Sequence, residues 1–163
     1  NSFFLYTVEA KIWLFKNRKK EKMYETEKWL VYEHDDFYED IELLVKNLTE
    51  YAKNNQLPLF TSGGFDGIYG IPAGGLVLAV YLHYRLKLPL MLAPTENSLV
   101  VDDIVDTGFT MSHYISKGNF TVALFYKEDS RWRPNIWLRE KTDKWIRFPW
   151  EGEEEYKGVI SNS

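Results

Sequence analysis

The sequence predicts an α/β fold in which a twisted parallel sheet is flanked by helices. Short apolar segments alternate with longer segments of helical periodicity through the middle of the chain, which is the order of strand-helix-strand units. The strand segments are continuous apolar runs, as is typical of parallel strands covered on both faces. One run, Leu99 to Val101, leads directly into Asp102 and Asp103, which places charge where parallel sheets meet their ligands.

Composition indicates one soluble domain. The chain has 163 residues, enough for a substantial core, and 45% of them are hydrophobic. A formal net charge of −4 disfavours wholesale binding to nucleic acid. The absence of cysteine excludes disulfides and cysteine-ligated zinc, and it fits a cytoplasmic protein. The three histidines, His34, His83 and His113, show no metal-ligand spacing.

Residues 1–22 are predicted to be an N-terminal extension, and residues 23–163 the single domain. The extension is apolar and aromatic but runs into the charged stretch K-N-R-K-K-E-K without a small-residue cleavage site. A signal peptide therefore fits poorly, and an extra strand or arm fits better. No apolar run reaches the roughly 18 residues that cross a bilayer, so we expect no membrane association.

Periodicity and turn residues locate the individual elements. Asp36 and Glu39 form a capping-box pattern at the start of a helix with one apolar face, and a loop containing Pro58, Gly63 and Gly64 follows it. Strands are predicted at 28–32, 67–71, 89–93, 99–101 and 120–126, later helices at 76–86 and 110–117, and a small hood mainly at 135–155.

The adjacent acids Asp102 and Asp103 are candidate ligand-binding residues. Two neighbouring carboxylates suit a cis-diol such as that of ribose, because each can accept from a hydroxyl while a divalent cation offsets their repulsion. An Asp-Asp pair alone is more often a solvated strand end or a helix cap. The position behind an apolar strand makes the site interpretation more specific.

The turn D-T-G-F-T, Asp106 to Thr110, lies between this strand and the next helix. Gly108 permits close backbone approach, the following amides point outward at a helix N-terminus, and Thr107 and Thr110 add hydroxyl donors. Such a turn accepts a phosphate. A diol site beside a phosphate site predicts a pocket for a ribose 5-phosphate.

Three segments together carry a resemblance to a known family. The stretch L-V-V-D-D-I-V-D-T-G-F-T closely resembles the phosphoribosyl pyrophosphate motif of the type I phosphoribosyltransferases. Upstream, G-I-P-A-G-G-L-V-L-A looks like their pyrophosphate loop. Downstream, V-A-L-F-Y-K followed by D-K-W-I-R-F-P-W-E is similar to the purine-site segment of the xanthine-guanine branch. The resemblance covers roughly Trp29 to Glu151 and implies a Rossmann-like core with a small hood.

The function that the resemblance implies is that of a cytoplasmic, magnesium-dependent glycosyltransferase of purine salvage. It would transfer the 5-phosphoribosyl group from phosphoribosyl pyrophosphate to a 6-oxopurine, namely guanine, xanthine or hypoxanthine, and release the nucleoside monophosphate and pyrophosphate. A homodimer or tetramer is expected, with no membrane or nucleic-acid partner.

The resemblance also implies a role for each matching residue. Asp106 would be the acid or base at the purine N7, and Asp103 the likelier magnesium contact. Lys127 would donate to the 6-oxo group, Trp145 would stack on the base, and the backbone of Ile146 would read its edge. The remaining contacts are the ribose at Asp102 and Asp103, the 5-phosphate at Asp106, Thr107, Gly108, Phe109 and Thr110, and the pyrophosphate at Ala73 and Gly74.

Two departures from the family pattern favour a second hypothesis. The purine enzymes usually read P-R-G in the pyrophosphate loop, whereas this chain has Pro72-Ala73-Gly74 and so lacks the guanidinium. The family also carries a long mobile loop before the acid-pair strand, where this chain has only the five residues 94–98. The alternative is a non-catalytic protein of the same fold that binds a phosphoribosyl ligand or nucleotide and regulates a partner. An unrelated hydrolase or phosphatase would need a nucleophile or metal cluster, and Ser112 and the histidines offer neither at a convincing spacing.

Overall fold

A computed structural model of the chain describes residues 22–55 and 64–151. The predicted extension therefore lies outside the described residues except for Lys22, and so does most of the loop predicted between 57 and 66. No helix within the described part is long and apolar enough to cross a membrane.

The main sheet has four parallel strands. They are β3 (Ile68–Gly70), β4 (Leu99–Val105), β5 (Phe120–Tyr126) and β6 (Ile136–Glu140), adjacent in that order. In β4 and β5 most side chains are buried, as the continuous apolar runs predict for parallel strands covered on both faces. The parallel α/β fold is thereby confirmed.

Three helices pack against this sheet: α1 (His34–Asn54), α2 (Gly74–Leu86) and α3 (Phe109–Ser116). Four apolar positions of α1 that recur at helical spacing are buried, namely Phe37, Ile41, Leu44 and Leu48. They join α2 and the sheet in the largest hydrophobic cluster. The predicted capping box is not formed, because no side chain caps the start of α1. Asp36 instead accepts a hydrogen bond from the amide of Met23, at 2.5 Å.

The strand predicted at 89–93 is wrong in extent. Only an isolated parallel bridge between Leu90 and Ile68 forms there, supported by backbone hydrogen bonds from Ile68 to Pro89 and from Met91 to Ile68. Pro89 has no amide hydrogen with which to extend the ladder. The chain then leaves the sheet, and Leu92 is 99% exposed.

A second, three-stranded sheet forms the hood. It contains β1 (Tyr24–Glu25), β2 (Trp29–Val31) and β7 (Trp145–Arg147), with β2 antiparallel to β1 and parallel to β7. The sequence assigns the hood mainly to 135–155, but two of its three strands come from the start of the domain. Residues 136–140 instead form the edge strand β6, because Trp137 packs on Tyr126 of β5 with ring centroids 5.2 Å apart.

A buried ion pair links the hood, α1 and the main sheet. Asp40 of α1 is 3% exposed and accepts two hydrogen bonds from Arg139 of β6, at 2.6 and 3.0 Å. It also accepts one at 2.5 Å from the hydroxyl of Tyr32, directly after β2. Desolvation by burial and the charge of Asp40 raise the pKa of Tyr32 far above its ordinary value, so the phenol stays a donor.

We predict that Arg139→Met lowers the free energy of unfolding by about 3–5 kcal/mol, because it leaves the Asp40 carboxylate buried without its cation. Arg85→Met is the control, since Arg85 pairs with Glu42 on the surface, where both side chains are about half exposed. Breaking such a surface pair costs at most about 1 kcal/mol. Urea unfolding of both variants measures the difference, and equal losses would contradict a structural role for the Asp40 pair.

Candidate functional site

The acid pair lies where β4 loses one of its neighbours. The ladder between β3 and β4 ends at Gly70 opposite Val101, whereas β5 continues to pair with β4 as far as Val105. The sequence predicts a strand that ends at Val101, before the two acids. That prediction is wrong, because Asp102 and Asp103 lie inside β4. They occupy the first positions at which β4 has a free edge.

The turn before α2 fills the space beside that free edge. A Cβ atom on Gly74 would come within 1.8 Å of the Asp103 carboxylate, and one on Gly75 within 2.6 Å of the Val101 carbonyl oxygen. Only glycine allows this approach. The peptide bond between Pro72 and Ala73 is cis, and Ala73 is the N-cap residue of α2. The predicted pyrophosphate loop and acid pair thus lie in direct contact.

Burial makes the acid pair hard to ionise. It raises the pKa of Asp102 to about 8, with the neighbouring Asp103 charge as the second cause, and it also raises the pKa of Asp103. Each side chain accepts a hydrogen bond from the next backbone amide, at 3.0 Å in both cases. Among the described residues no lysine, arginine or histidine forms a salt bridge with either acid.

The donor set of the pair fits a magnesium ion. Mg²⁺ prefers hard oxygen ligands and is commonly bound by one or two carboxylates, with its other positions filled by water and ligand phosphates. No cluster of three or more metal-ligating side chains occurs in the described part of the chain. A cation at Asp102 and Asp103 would therefore share its coordination with a ligand, and it would supply the charge that these buried acids lack.

Gly108 shapes the turn after β4. It adopts φ = +76° as the N-cap residue of α3, and a Cβ atom there would come within 2.6 Å of the Ser130 hydroxyl and 2.9 Å of the Trp132 Cβ. The position thus needs glycine for both conformation and space. The Phe109 amide donates to the Thr107 hydroxyl at 3.3 Å, and the Phe109 side chain is 84% exposed.

One cavity of about 310 Å³ joins this turn to the acid pair and to the hood. Its walls come from β4 and the turn on one side and from the chain around β7 on the other. The lining residues are Asp102, Ile104, Val105, Asp106, Thr107, Gly108, Phe109, Thr110, Met111, Lys141, Trp145, Ile146 and Glu151. Asp103, Ala73, Gly74 and Lys127 are absent from that lining, although Asp103 and Gly74 touch each other directly beside it.

The hood presents a ring and a free backbone edge to the cavity. Trp145 is 72% exposed, whereas the Ile146 side chain is buried in the core. The amide of Trp145 and the carbonyl of Arg147 bond towards β2. Because backbone groups alternate in direction along a strand, those of Ile146 point to the opposite edge of β7, where no described strand pairs.

Two lysines flank Asp106 at the ends of neighbouring strands. Lys127 follows β5, and its ammonium lies 3.0 Å from Asp143, 3.8 Å from Asp129 and 4.0 Å from Asp106. The hydrogen bond and charge of Asp143 raise the pKa of Lys127. Lys141 follows β6 and lies 3.7 Å from the other oxygen of Asp106. Lys141 lies in a charged stretch, R-E-K-T-D-K, with no motif around it, so the sequence gives no signal for its position in the site.

Comparison with solved structures shows which fold this is. The xanthine-guanine-hypoxanthine phosphoribosyltransferase of Helicobacter pylori superposes with a TM-score of 0.61 and 22% identity, over 76% of this chain and 93% of that one. The purine phosphoribosyltransferase of Pyrococcus horikoshii gives a TM-score of 0.58 and 24% identity, over 83% and 99% of the two chains. The chain has the type I phosphoribosyltransferase fold. No family model matches the sequence.

The same phosphoribosyltransferase fold also includes a protein without an enzyme name. A hypothetical protein from Neisseria gonorrhoeae, solved with bound ppGpp, superposes with a TM-score of 0.53 and 19% identity, over 79% of this chain and 92% of that one. The superpositions establish the fold. At these sequence identities, the role of each site residue is judged from the geometry of this chain.

We predict that the acid pair makes the protein less stable as pH rises. A carboxyl whose pKa is raised on folding stabilises the protein fully below its unfolded value, near 4, and loses that contribution as pH rises through about 8. Without divalent cations, Asp102→Asn should therefore gain stability over the unsubstituted chain between pH 5 and 8, by at most about 1.4 kcal/mol per pH unit.

Urea unfolding in chelator at several pH values measures this change. Asp143→Asn is the control, because its pairing with Lys127 lowers the pKa of exposed Asp143 and so leaves its contribution constant above pH 5. A stability difference between Asp102→Asn and the unsubstituted chain that does not change with pH would contradict the assigned burial of the pair.

We also predict that Gly108→Ala costs more stability than Gly118→Ala. Both glycines have positive φ, 76° and 85°, but nothing lies within 4 Å of a Cβ atom at Gly118. Gly118→Ala should cost about 1–2 kcal/mol from backbone strain alone. Gly108→Ala should lose about 1–3 kcal/mol more, because Ser130 and Trp132 must move. Equal unfolding midpoints for the two variants would show that the turn is not crowded.

Proposed function

We propose that the protein is a purine phosphoribosyltransferase. It would transfer the 5-phosphoribosyl group from phosphoribosyl pyrophosphate to guanine, xanthine or hypoxanthine, giving the nucleoside monophosphate and pyrophosphate. The observation that carries the proposal is the single cavity shared by Asp102, the turn from Asp106 to Thr110, and Trp145 with Ile146. A cavity lined in this way has a ribose and phosphate side and a base side, as a nucleoside monophosphate requires.

The ribose and phosphate side would be formed by the chain after Val101. Asp102 and Asp103 would accept hydrogen bonds from the two ribose hydroxyls. The turn from Asp106 to Thr110 would hold the 5-phosphate with the backbone amides at the start of α3, where the helix favours negative charge. The adjacent Ala73 and Gly74 would offer backbone amides at the start of α2 to the pyrophosphate.

Magnesium would complete this side of the pocket. Bound at Asp103, it would offset the charge of the acids and stabilise the departing pyrophosphate. The protein's own contribution is to keep Asp102 buried beside Asp103, so that the charge of the pair is unfavourable until a ligand and cation arrive.

The base side would position the purine for attack at the anomeric carbon. A bond forms from N9 to that carbon while the bond from the carbon to the pyrophosphate oxygen breaks, and the ring gains positive charge. Asp106 would accept the hydrogen at N7 and relieve that charge. Trp145 would stack on the ring, and the free backbone edge at Ile146 would read the base. Because lysine only donates hydrogen bonds, Lys127 next to Asp106 would favour a 6-oxo over a 6-amino purine.

The solved structures support this choice of substrate class. The proteins from Helicobacter pylori and Pyrococcus horikoshii are both named as purine phosphoribosyltransferases, and each is covered over more than nine tenths of its length. The segment that resembles the purine branch contributes Trp145, Ile146 and Glu151 to the cavity lining.

A regulatory binding protein is the second candidate. Ala73 carries no guanidinium for the pyrophosphate, and residues 94–98 are too few to form a closing lid. The hypothetical Neisseria gonorrhoeae protein of the same fold is solved with ppGpp, a guanine nucleotide. Such a protein would bind nucleotide in the same pocket without turning over phosphoribosyl pyrophosphate.

We expect the protein to assemble as a homodimer or tetramer. Leu76, Val80 and Tyr84 recur every four residues on α2 and are 42%, 37% and 64% exposed, which forms an apolar stripe on one helix face. Such a stripe is consistent with a self-association surface.

A panel of nucleobases separates the two candidates. With Mg²⁺ and phosphoribosyl pyrophosphate, we predict pyrophosphate release with guanine, xanthine or hypoxanthine and much less with adenine or uracil. Asp103→Asn should abolish activity, and Asp106→Asn should lower kcat at least about 100-fold, as is typical for removing a general acid or base. Lys127→Ala should change the base preference.

Binding measurements show whether a protein that forms no product still binds its ligands. Calorimetric binding of phosphoribosyl pyrophosphate and of ppGpp is measured on the same protein preparations. Binding of either ligand without product from any base, and with affinity unchanged in Asp106→Asn, would exclude the transferase and favour the regulatory protein. Asp129→Asn is the matched control for Asp106→Asn, because it also removes a carboxylate beside Lys127 but does not line the cavity.

A further inference from the structure

A second cavity, of about 760 Å³, lies against the outer face of the hood. The hairpin between β1 and β2 forms one wall, and the chain that leads into β7 forms the other. Its lining includes Glu25, Glu27, Lys28 and Trp29 from the hairpin, and Lys144 and Trp145 from the second wall. Trp145 also lines the first cavity, which contains Asp102. The proposed transfer reaction gives no role to the hairpin residues.

Two tryptophans form the apolar part of the second cavity. Trp29 and Trp145 are register partners on neighbouring parallel strands, so their side chains leave the sheet on the same face. The next residues, Leu30 and Ile146, are buried in the core, which places both indoles on the outer face. Within the described part of the chain, no ring contact occupies either indole. They therefore offer open ring faces to a flat ligand.

Hydrogen bonds fix the walls of this cavity. The Thr26 amide donates to the Trp29 carbonyl at 2.8 Å, and the Trp29 amide donates to the Thr26 hydroxyl at 2.9 Å, which closes the turn of the hairpin. Lys144 joins the two walls, because its ammonium binds the Glu25 carboxylate and donates to the Thr26 carbonyl at 3.0 Å. A ligand would therefore enter a preformed site and would not have to order its walls.

Glu27 and Lys28, at the tip of this turn, supply one charge of each sign. Both are exposed, and neither forms a salt bridge with another described residue. Lys144 and Glu25, by contrast, already neutralise each other. The second cavity thus offers a ligand one unpaired carboxylate as acceptor and one unpaired ammonium as donor.

We propose that the second cavity binds the base of a guanine nucleoside. Guanine is flat, and its N1–H and 2-amino groups lie side by side, so they match the two oxygens of one carboxylate. Its 6-oxygen is next to N1–H and accepts from an ammonium. Glu27 would therefore accept from the two nitrogens, Lys28 would donate to the oxygen, and the indoles would cover the ring. The proposal goes beyond the proposed function, because it concerns a separate cavity and involves no transfer.

Adenine fits this set of groups less well. Its 6-amino group can donate to Glu27, but N1 carries no hydrogen and position 2 carries no amino group, so one carboxylate oxygen would lose its partner. Hypoxanthine keeps the N1–H and the 6-oxygen and lacks only the 2-amino group. The expected order of affinity is therefore guanosine, then inosine, then adenosine.

The test titrates these three nucleosides into the protein by isothermal titration calorimetry. None of them carries a phosphate, so none can occupy the phosphate-binding turn proposed for the first cavity. We expect Glu27→Gln to weaken guanosine binding about 10- to 100-fold, as for loss of a charged hydrogen bond, and Lys28→Met to weaken it about 10-fold. Glu96→Gln is the matched control and should bind guanosine as the unsubstituted protein does, because Glu96 is exposed and lines neither cavity.

The variants locate the binding. Glu27 and Lys28 do not line the first cavity, whereas a substitution at Trp145 would affect both cavities. Equal guanosine affinity in Glu27→Gln and the unsubstituted protein would overturn the proposal and assign the binding to the first cavity. Absence of guanosine binding, or adenosine binding as tight as that of guanosine, would also overturn it. Both substitutions are at exposed side chains of a turn, and thermal unfolding checks that the variants remain folded.

The result is separable from that of the proposed function. If no base yields a nucleotide with phosphoribosyl pyrophosphate, the transferase is refuted, but the effect of Glu27→Gln on guanosine binding still tests the second cavity. Pyrophosphate release by a protein whose guanosine affinity is unchanged in Glu27→Gln would have the opposite meaning. The second site would then be refuted and the transferase retained.

Discussion

The pairing of Asp40 with Arg139 and Tyr32 holds the candidate site together. The main sheet carries Asp102 and the turn from Asp106 to Thr110 on one side of the cavity, whereas the hood carries Trp145 and Ile146 on the other. These two sheets are separate, so their distance depends on contacts between them. Asp40 binds a side chain from each, and its own burial makes those contacts costly to lose. This polar contact joins the two sides of the cavity, together with the aromatic contacts of Phe125 in β5 to Tyr32 and Phe148.

The points at which the strands of the main sheet end determine where the charged side chains of the site lie. The free edge of β4 brings two carboxylates together where no basic side chain of the described residues forms a salt bridge, whereas the ends of β5 and β6 bring two lysines to Asp106. A diol with a bound metal fits the first arrangement, and an oxygen-bearing ring fits the second. Both arrangements arise because the strands end at different positions along the sheet. The pairing of β3 with β4 stops at Gly70, whereas the pairing of β6 with β5 continues by one residue to Lys141.

The sequence predicted the parts of this structure that depend on local pattern. The parallel strands and the turn from Asp106 to Thr110 have recognisable periodicity or glycine positions, and both are present in the structure. The structure brings Asp102, the turn and Trp145 to one cavity, as the resemblance implied. The sequence-based predictions that failed depend on pairing between distant segments. Strand pairing extends β4 past Asp103 and reduces the strand predicted at 89–93 to a single bridge. Lys141 was missed because only the long-range pairing of β6 buries it.

The two walls of the cavity come from separate parts of the chain. Residues 102–111 form one wall, and residues 141–151 form the other. If the proposed function holds, a substitution in the second wall can alter the choice of base without touching the groups proposed to hold the sugar phosphate. The two walls can therefore diverge independently. A pocket of this kind could gain a new base, or become a nucleotide sensor, by changes confined to residues 141–151.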